Sequence, residues 1–147
     1  MSIKSILEQK GSIVFQIQPD KPLCDCIKLL NEKRIGALMV IDKENNIRGI
    51  ISERDILHTA FDTKGQMCDL LVKDIMTPKD KLITATIEDK IEAIMKSMTN
   101  NKIRHIPIMD NEKLLGIVSI GDIVKVLLND AVTENKHMKN YISGSYS

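Results

Sequence analysis

The sequence predicts a mixed α/β (α+β) fold made of two tandem β-α-β-β-α repeats packed with pseudo-twofold symmetry. The first observation behind this reading is an internal duplication. Gly49-Ile50-Ile51-Ser52-Glu53-Arg54-Asp55-Ile56 is matched by Gly116-Ile117-Val118-Ser119-Ile120-Gly121-Asp122-Ile123, with Asp55 and Asp122 standing 67 positions apart. Upstream, the stretch from Ile35 to Asp42 is matched by Ile103 to Asp110 at a separation of 68, so the second copy lost one residue in the turn between. The second observation is that hydrophobic periodicity switches between strand and helix in the same order in both copies.

Each copy opens on a short strand, Ile13–Ile17 and then Lys81–Ala85. An amphipathic helix follows. Leu23, Cys26, Ile27 and Leu30 form one face between about Leu23 and Lys33, and Ile91, Ile94, Met95 and Met98 form one between about Glu88 and Asn100. Both show the three- and four-residue spacing of a half-buried helix. Ala37–Ile41 with Ile47–Ile51, and His105–Met109 with Leu114–Val118, read as hairpins across polar turns. Ser52 or Ser119 then supplies an N-cap, with Asp55 or Asp122 in the capping-box slot. Second helices run through Asp55–Phe61 and Asp122–Asn129. The chain thus divides into a first repeat with its N-terminal lead-in over 1–61, a linker over 62–73, a second repeat over 74–130, and a C-terminal helix and tail over 131–147. Such a unit leaves one sheet face apolar, and two units can bury those faces together. One compact domain is expected rather than two free ones.

Composition narrows the function classes. A net charge of +1 provides no global field toward nucleic acid or anionic membrane, and 3% aromatic content without Trp makes base-stacking platforms scarce. No apolar run approaches a membrane span; Ala37 to Ile41 is typical. The N-terminus shows no signal-peptide core, which points to the cytoplasm, and Cys24, Cys26 and Cys68 suit its reducing conditions. Cys24-Asp25-Cys26 lacks a second Cys/His pair at metal-ligand spacing, and Cys26 sits on the apolar stripe of its helix. His58, His105 and His137 are scattered, with no triad and no zinc site in view.

The repeated Gly-Ile-(Ile/Val)-Ser-x-x-Asp, each copy preceded by a strand ending in Asp, resembles the CBS domain. The Asp74-Ile75-Met76-Thr77 lead-in, Pro19-Asp20 and Arg104-His105-Ile106-Pro107-Ile108 match that family too. The resemblance covers roughly 12–130, and the chain closely resembles stand-alone bacterial two-domain proteins, whose tails are similar to Tyr141-Ile142-Ser143-Gly144-Ser145-Tyr146. It implies a CBS pair, or Bateman module: often a homodimer, with clefts that take AMP, ADP, ATP, NAD or S-adenosylmethionine and so regulate an attached or partner protein.

The motif residues suit that ligand class chemically. Ser52 and Ser119 lie where unpaired backbone N–H groups and the helix dipole favour a phosphate oxygen. Asp55 and Asp122 can accept hydrogen bonds from both ribose hydroxyls. The bland alternative is a capping serine and a dipole-complementing aspartate. Within the repeated context, nucleotide contact is expected for at least one copy. Arg54 and Arg104 can fork onto phosphate and His105 can donate a further bond, against the alternative of a solvated Arg and a packed His. Gly36 and Ala37 allow close approach to the backbone. Ile35, Ile103, Ile106 and Pro107 could sandwich adenine, with Thr84 lining the strand edge, although plain core is the commoner role for any single isoleucine. Arg54 in one motif against Gly121 in the other predicts clefts of unequal phosphate affinity. The leading expectation is a nucleotide-sensing regulatory module acting on an unidentified protein. A structural or interaction module with vestigial clefts is the alternative. An enzyme is disfavoured, since no nucleophile–base pair, metal cluster or Gly-rich phosphate loop is present.

Overall fold

The computed structural model describes residues 2–11 and 13–143, without the side chains of residues 137 and 139–143, so the expected tail lies outside the described residues. In order the elements are α1 (Ile3–Lys10), β1 (Gln16–Ile17), α2 (Leu23–Lys33), β2 (Ala37–Ile41), β3 (Ile47–Ser52), α3 (Glu53–Asp62), α4 (Val72–Ile75), β4 (Thr77–Pro78), α5 (Ile91–Asn101), β5 (His105–Asp110), β6 (Lys113–Ser119) and α6 (Ile120–Ser143). They form two compact units, Ile13–Ile83 and Met1–Ser12 with Thr84–Ser147. These units differ from the sequence repeats in their edges. The N-terminal lead-in belongs to the unit of the second repeat, and the lead-in of the second repeat belongs to the unit of the first.

In the first unit the sheet order is β1-β2-β3-β4. The hairpin β2–β3 is antiparallel, with Ala37 opposite Ser52, and β1 lies parallel to β2. β4 closes the other edge, with Gly49 opposite Pro78 and Ile50 opposite Thr77. Pro78 lacks an N–H, which an edge strand tolerates. Helix α2 spans the expected residues and buries Leu23, Cys26 and Leu30 against Leu38, Val40, Ile51 and Val72. Arg34 ends it in the left-handed region at φ 54°, and the Ile35 N–H bonds back to the Leu30 carbonyl at 3.1 Å, closing a helix terminus without glycine. Lys102, at φ 55°, ends α5 in the same way.

The second unit has β5 antiparallel to β6, with His105 opposite Ser119. Ile94, Met98, Ile106, Ile108, Val118, Ile123 and Val126 are buried there, as are Ile3 and Ile6 of α1. Three expectations need correction. The strand expected over Lys81–Ala85 is a 3-10 turn, Lys79–Lys81, followed by a single parallel bridge from Ala85 to Ile108, and α5 starts at Ile91. The opening strand of the first copy shrinks to two residues. The last helix does not stop at Asn129 but runs unbroken to Ser143, because no Gly or Pro interrupts that stretch.

The cysteines also depart from expectation. Cys24 and Cys68 form a disulfide, with Cα atoms 5.1 Å apart. The 62–73 segment is brought onto the start of α2 by the Leu23 N–H on the Leu70 carbonyl at 2.8 Å and the Val72 N–H on the Lys21 carbonyl at 2.9 Å. Composition could not reveal a pairing across 44 positions. Closing a loop of that length stabilises by about 4 kcal/mol in the chain-entropy model. Cys24→Ser should therefore lower the unfolding free energy by about 2–4 kcal/mol in oxidising buffer and leave it unchanged under excess dithiothreitol. Equal stability of both proteins in oxidising buffer would refute the staple.

Candidate functional site

The same strand-to-helix corner is built twice. Ser52 leaves β3 in extended backbone, φ −122° and ψ 164°, and caps α3. Its hydroxyl accepts from the Asp55 N–H at 3.4 Å, while the Ser52 N–H and hydroxyl donate to the Asp55 carboxylate at 3.0 and 3.2 Å. In the second copy the Asp122 N–H donates to the Ser119 hydroxyl at 3.1 Å, and the Ser119 N–H donates to the Asp122 carboxylate at 2.8 Å. A second strand faces each corner. The Glu53 N–H bonds the Gly36 carbonyl at 2.9 Å, and the Ile120 N–H bonds the Arg104 carbonyl at 2.9 Å. So Gly36, Ala37, Ser52 and Asp55 meet in one unit, and Arg104, His105, Ser119 and Asp122 meet in the other.

The remaining expected residues are more dispersed. Arg54 is exposed on the first turn of α3. Ile35 helps line a cavity of about 440 Å³ between α2 and α3, with Ile27, Arg34, Glu53 and Ile56, but neither Ser52 nor Asp55 borders it. Ile103 is half-buried at the end of α5, with its N–H on the Met98 carbonyl at 3.0 Å. Ile106 and Pro107 are fully buried in β5. Thr84 is exposed just before Ala85, whose N–H bonds the Pro107 carbonyl at 3.0 Å.

Two residues that sequence reasoning missed touch the motif aspartates. The Lys10 ammonium, at the end of α1, donates to the Asp122 carboxylate at 2.8 Å and to the Ile117 carbonyl at 2.6 Å. The Thr77 side chain of β4 lies near the Asp55 carboxylate and acts to lower its pKa, the weakest of the influences on it. Neither carried a repeat signal: upstream of the hairpin turn the copies stand 68 apart, so Lys10 and Thr77 are not equivalent positions.

The two carboxylates consequently feel different surroundings. Burial pushes the Asp55 carboxyl above the usual carboxylate range, against the pull of the Ser52 N–H and hydroxyl, His58 and Thr77. Burial acts upward on Asp122 as well, but the Lys10 hydrogen bond, the Ser119 N–H and the Lys10 charge outweigh it, and the group lies below that range. Burial, aided by the Asp55 charge, pushes the Cys26 thiol up to about 11, so this buried sulfur is an inert core group. Among the described residues no cluster of His, Cys, Asp and Glu could hold a metal ion.

A family model for the CBS domain matches residues 12–62 and 72–129. The chain belongs to the CBS-domain family. Among curated relatives it is similar to a mitochondrial CBS domain-containing protein, CBSX3 of Arabidopsis thaliana, at 36% identity over 99% of this chain and 73% of that one. Among solved structures it resembles a putative signal-transduction protein with CBS domains from Burkholderia ambifaria, at 32% identity and TM-score 0.81, covering 88% of this chain and 96% of the other. It is also similar to CBSX2 solved in complex with AMP, at 26% identity and TM-score 0.67 over 80% of this chain and 90% of that one. The CBS-pair fold implied by the repeated motif is therefore the fold of this chain.

Proposed function

We propose that this CBS pair is a regulatory module that binds an adenine nucleotide. The observation that carries the reading is the corner of extended strand, capping serine and aspartate one turn into a helix, present once in each unit. A nucleotide would lay phosphate against the serine hydroxyl and the helix N-terminus, and ribose against the aspartate. The AMP complex of CBSX2 supports the ligand class. Ligand binding then shifts the population of module conformations read by a partner protein. We place the module in the cytoplasm, whose reducing conditions would hold Cys24 and Cys68 as thiols rather than as the disulfide. Among the described residues no helix is long and apolar enough to cross a membrane.

Calorimetry of nucleotide-free protein against AMP, ADP, ATP, NAD and S-adenosylmethionine tests the reading. Binding heat is expected for at least one, with a stabilisation of about 2.7 kcal/mol at one hundred times the dissociation constant. No heat and no thermal shift for any of the five would leave the second reading, an interaction module with vestigial clefts. That reading has its own support in the internal hydrogen bonds that already occupy both motif aspartates. We further propose a homodimer that covers Leu57 and Phe61, 71% and 84% exposed on α3. Light scattering on the same sample should give twice the chain mass; a monomer at micromolar concentration would refute the pairing.

A further inference from the structure

The two motifs are alike in backbone and unlike in what the lead-ins bring to them. One lead-in places a neutral hydroxyl, Thr77, near Asp55, and the other seats an ammonium, Lys10, on Asp122. Lys10 is anchored twice, on Asp122 and on the Ile117 carbonyl, and its partner aspartate is 20% exposed. An ion pair so placed is less screened than one in open water. One oxygen of Asp122 already accepts both the Ser119 N–H and Lys10. Hydrogen bonds between ionised groups are roughly twice as strong as neutral ones, so a ribose hydroxyl does not displace the ammonium at equal geometry. A threonine hydroxyl, by contrast, can rotate away or share the carboxylate.

We propose that the residue at positions 10 and 77 decides which motif takes nucleotide: Thr77 leaves Asp55 open to ribose hydroxyls, whereas Lys10 holds Asp122 closed until its ammonium is displaced. The first motif is then the loaded one at low ligand concentration. Loading the second must detach the last residue of α1 from Ile117 and Asp122, which couples the ligand to the N-terminal helix. This inference rests on the nucleotide reading above.

Exchanging the two residues tests it, with AMP as probe. Asp55→Asn isolates the second motif while keeping an oxygen to cap α3, and it should bind AMP weakly. Adding Lys10→Thr to that variant should tighten binding at least tenfold. Thr77→Lys in the wild-type background should weaken the first motif at least tenfold. Melting curves establish that each variant is folded. Unchanged or weaker AMP binding in the Asp55→Asn, Lys10→Thr protein overturns the proposal. An independent readout needs no ligand: in carboxyl-resolved NMR, Lys10→Thr should raise the titration midpoint of Asp122 and leave that of Asp55 in place. A stationary Asp122 midpoint also overturns it. A moving midpoint with no binding of AMP, ADP, ATP, NAD or S-adenosylmethionine by any variant locates the failure in the nucleotide reading, and the gate falls with it.

Discussion

Gly49→Ala should destabilise the protein by about 1–3 kcal/mol, what one added methyl costs in a packed interior. Gly49 sits in β3 opposite Pro78 of β4. A Cβ there would overlap the Thr77 backbone carbonyl oxygen and lie 3.2 Å from the Pro78 Cα. Backbone cannot rotate aside as a side chain does, so β4 must shift or detach, and Thr77 moves with it away from Asp55. The equivalent glycine is an internal control. A Cβ at Gly116 would meet only the Leu7 Cδ2 at 2.7 Å, the far end of a flexible side chain. Gly116→Ala should cost well under half as much. Urea denaturation of both variants gives the comparison, and equal midpoints would show that β4 is not held where Gly49 admits it. The first residue of the repeated motif is thus a receptacle in both copies, for a strand in one unit and a helix in the other.

That role marks the limit of what could be read from the sequence. The duplication and its periodicities are local signals, and they located α2 residue for residue and both hairpins within one or two positions. The serine and aspartate pairs were legible because a capping box needs only three residues of context. What the sequence hid depends on long-range pairing. Ile3 and Ile6 are buried in the unit of the second repeat, although nothing local distinguishes them from a lead-in to the first. Lys10 meets Asp122 across 112 positions. The expected strand at Lys81–Ala85 has strand-like residues, yet it keeps one bridge because only Ala85 comes into register with β5. Ile106 could be read as core or as part of a ligand slot, with core the commoner role; both it and Pro107 are completely buried.

Asp55 and Asp122 should respond oppositely to the loss of their charge. Asp122→Ala removes the acceptor of the Ser119 N–H and of Lys10, both at 2.8 Å, and leaves the ammonium with the Ile117 carbonyl alone. Losing a charged acceptor should cost about 1.5–3 kcal/mol of stability at pH 7. Because Asp122 titrates below its unfolded value of about 3.9, its stabilisation is present above that pH and fades as pH falls through the folded value. The variant should therefore lose part of the wild-type decline below about pH 4. Asp55 has the reverse sign. Its folded carboxyl titrates above about 3.9, so ionisation opposes folding at neutral pH, and that cost is relieved as pH falls from its folded value toward 3.9. Asp55→Asn deletes the cost yet keeps an oxygen for the Ser52 N–H, so ligand-free stability at pH 7 should equal or exceed that of the wild type. The same variant should lose about 1.5–3 kcal/mol of AMP affinity, roughly 10- to 150-fold, since the amide no longer offers a charged acceptor to the ribose. Chemical denaturation from pH 3 to 8, paired with AMP calorimetry, separates the roles. If Asp55→Asn is the less stable protein at pH 7 and binds AMP as the wild type does, Asp55 is a cap and not a ribose acceptor.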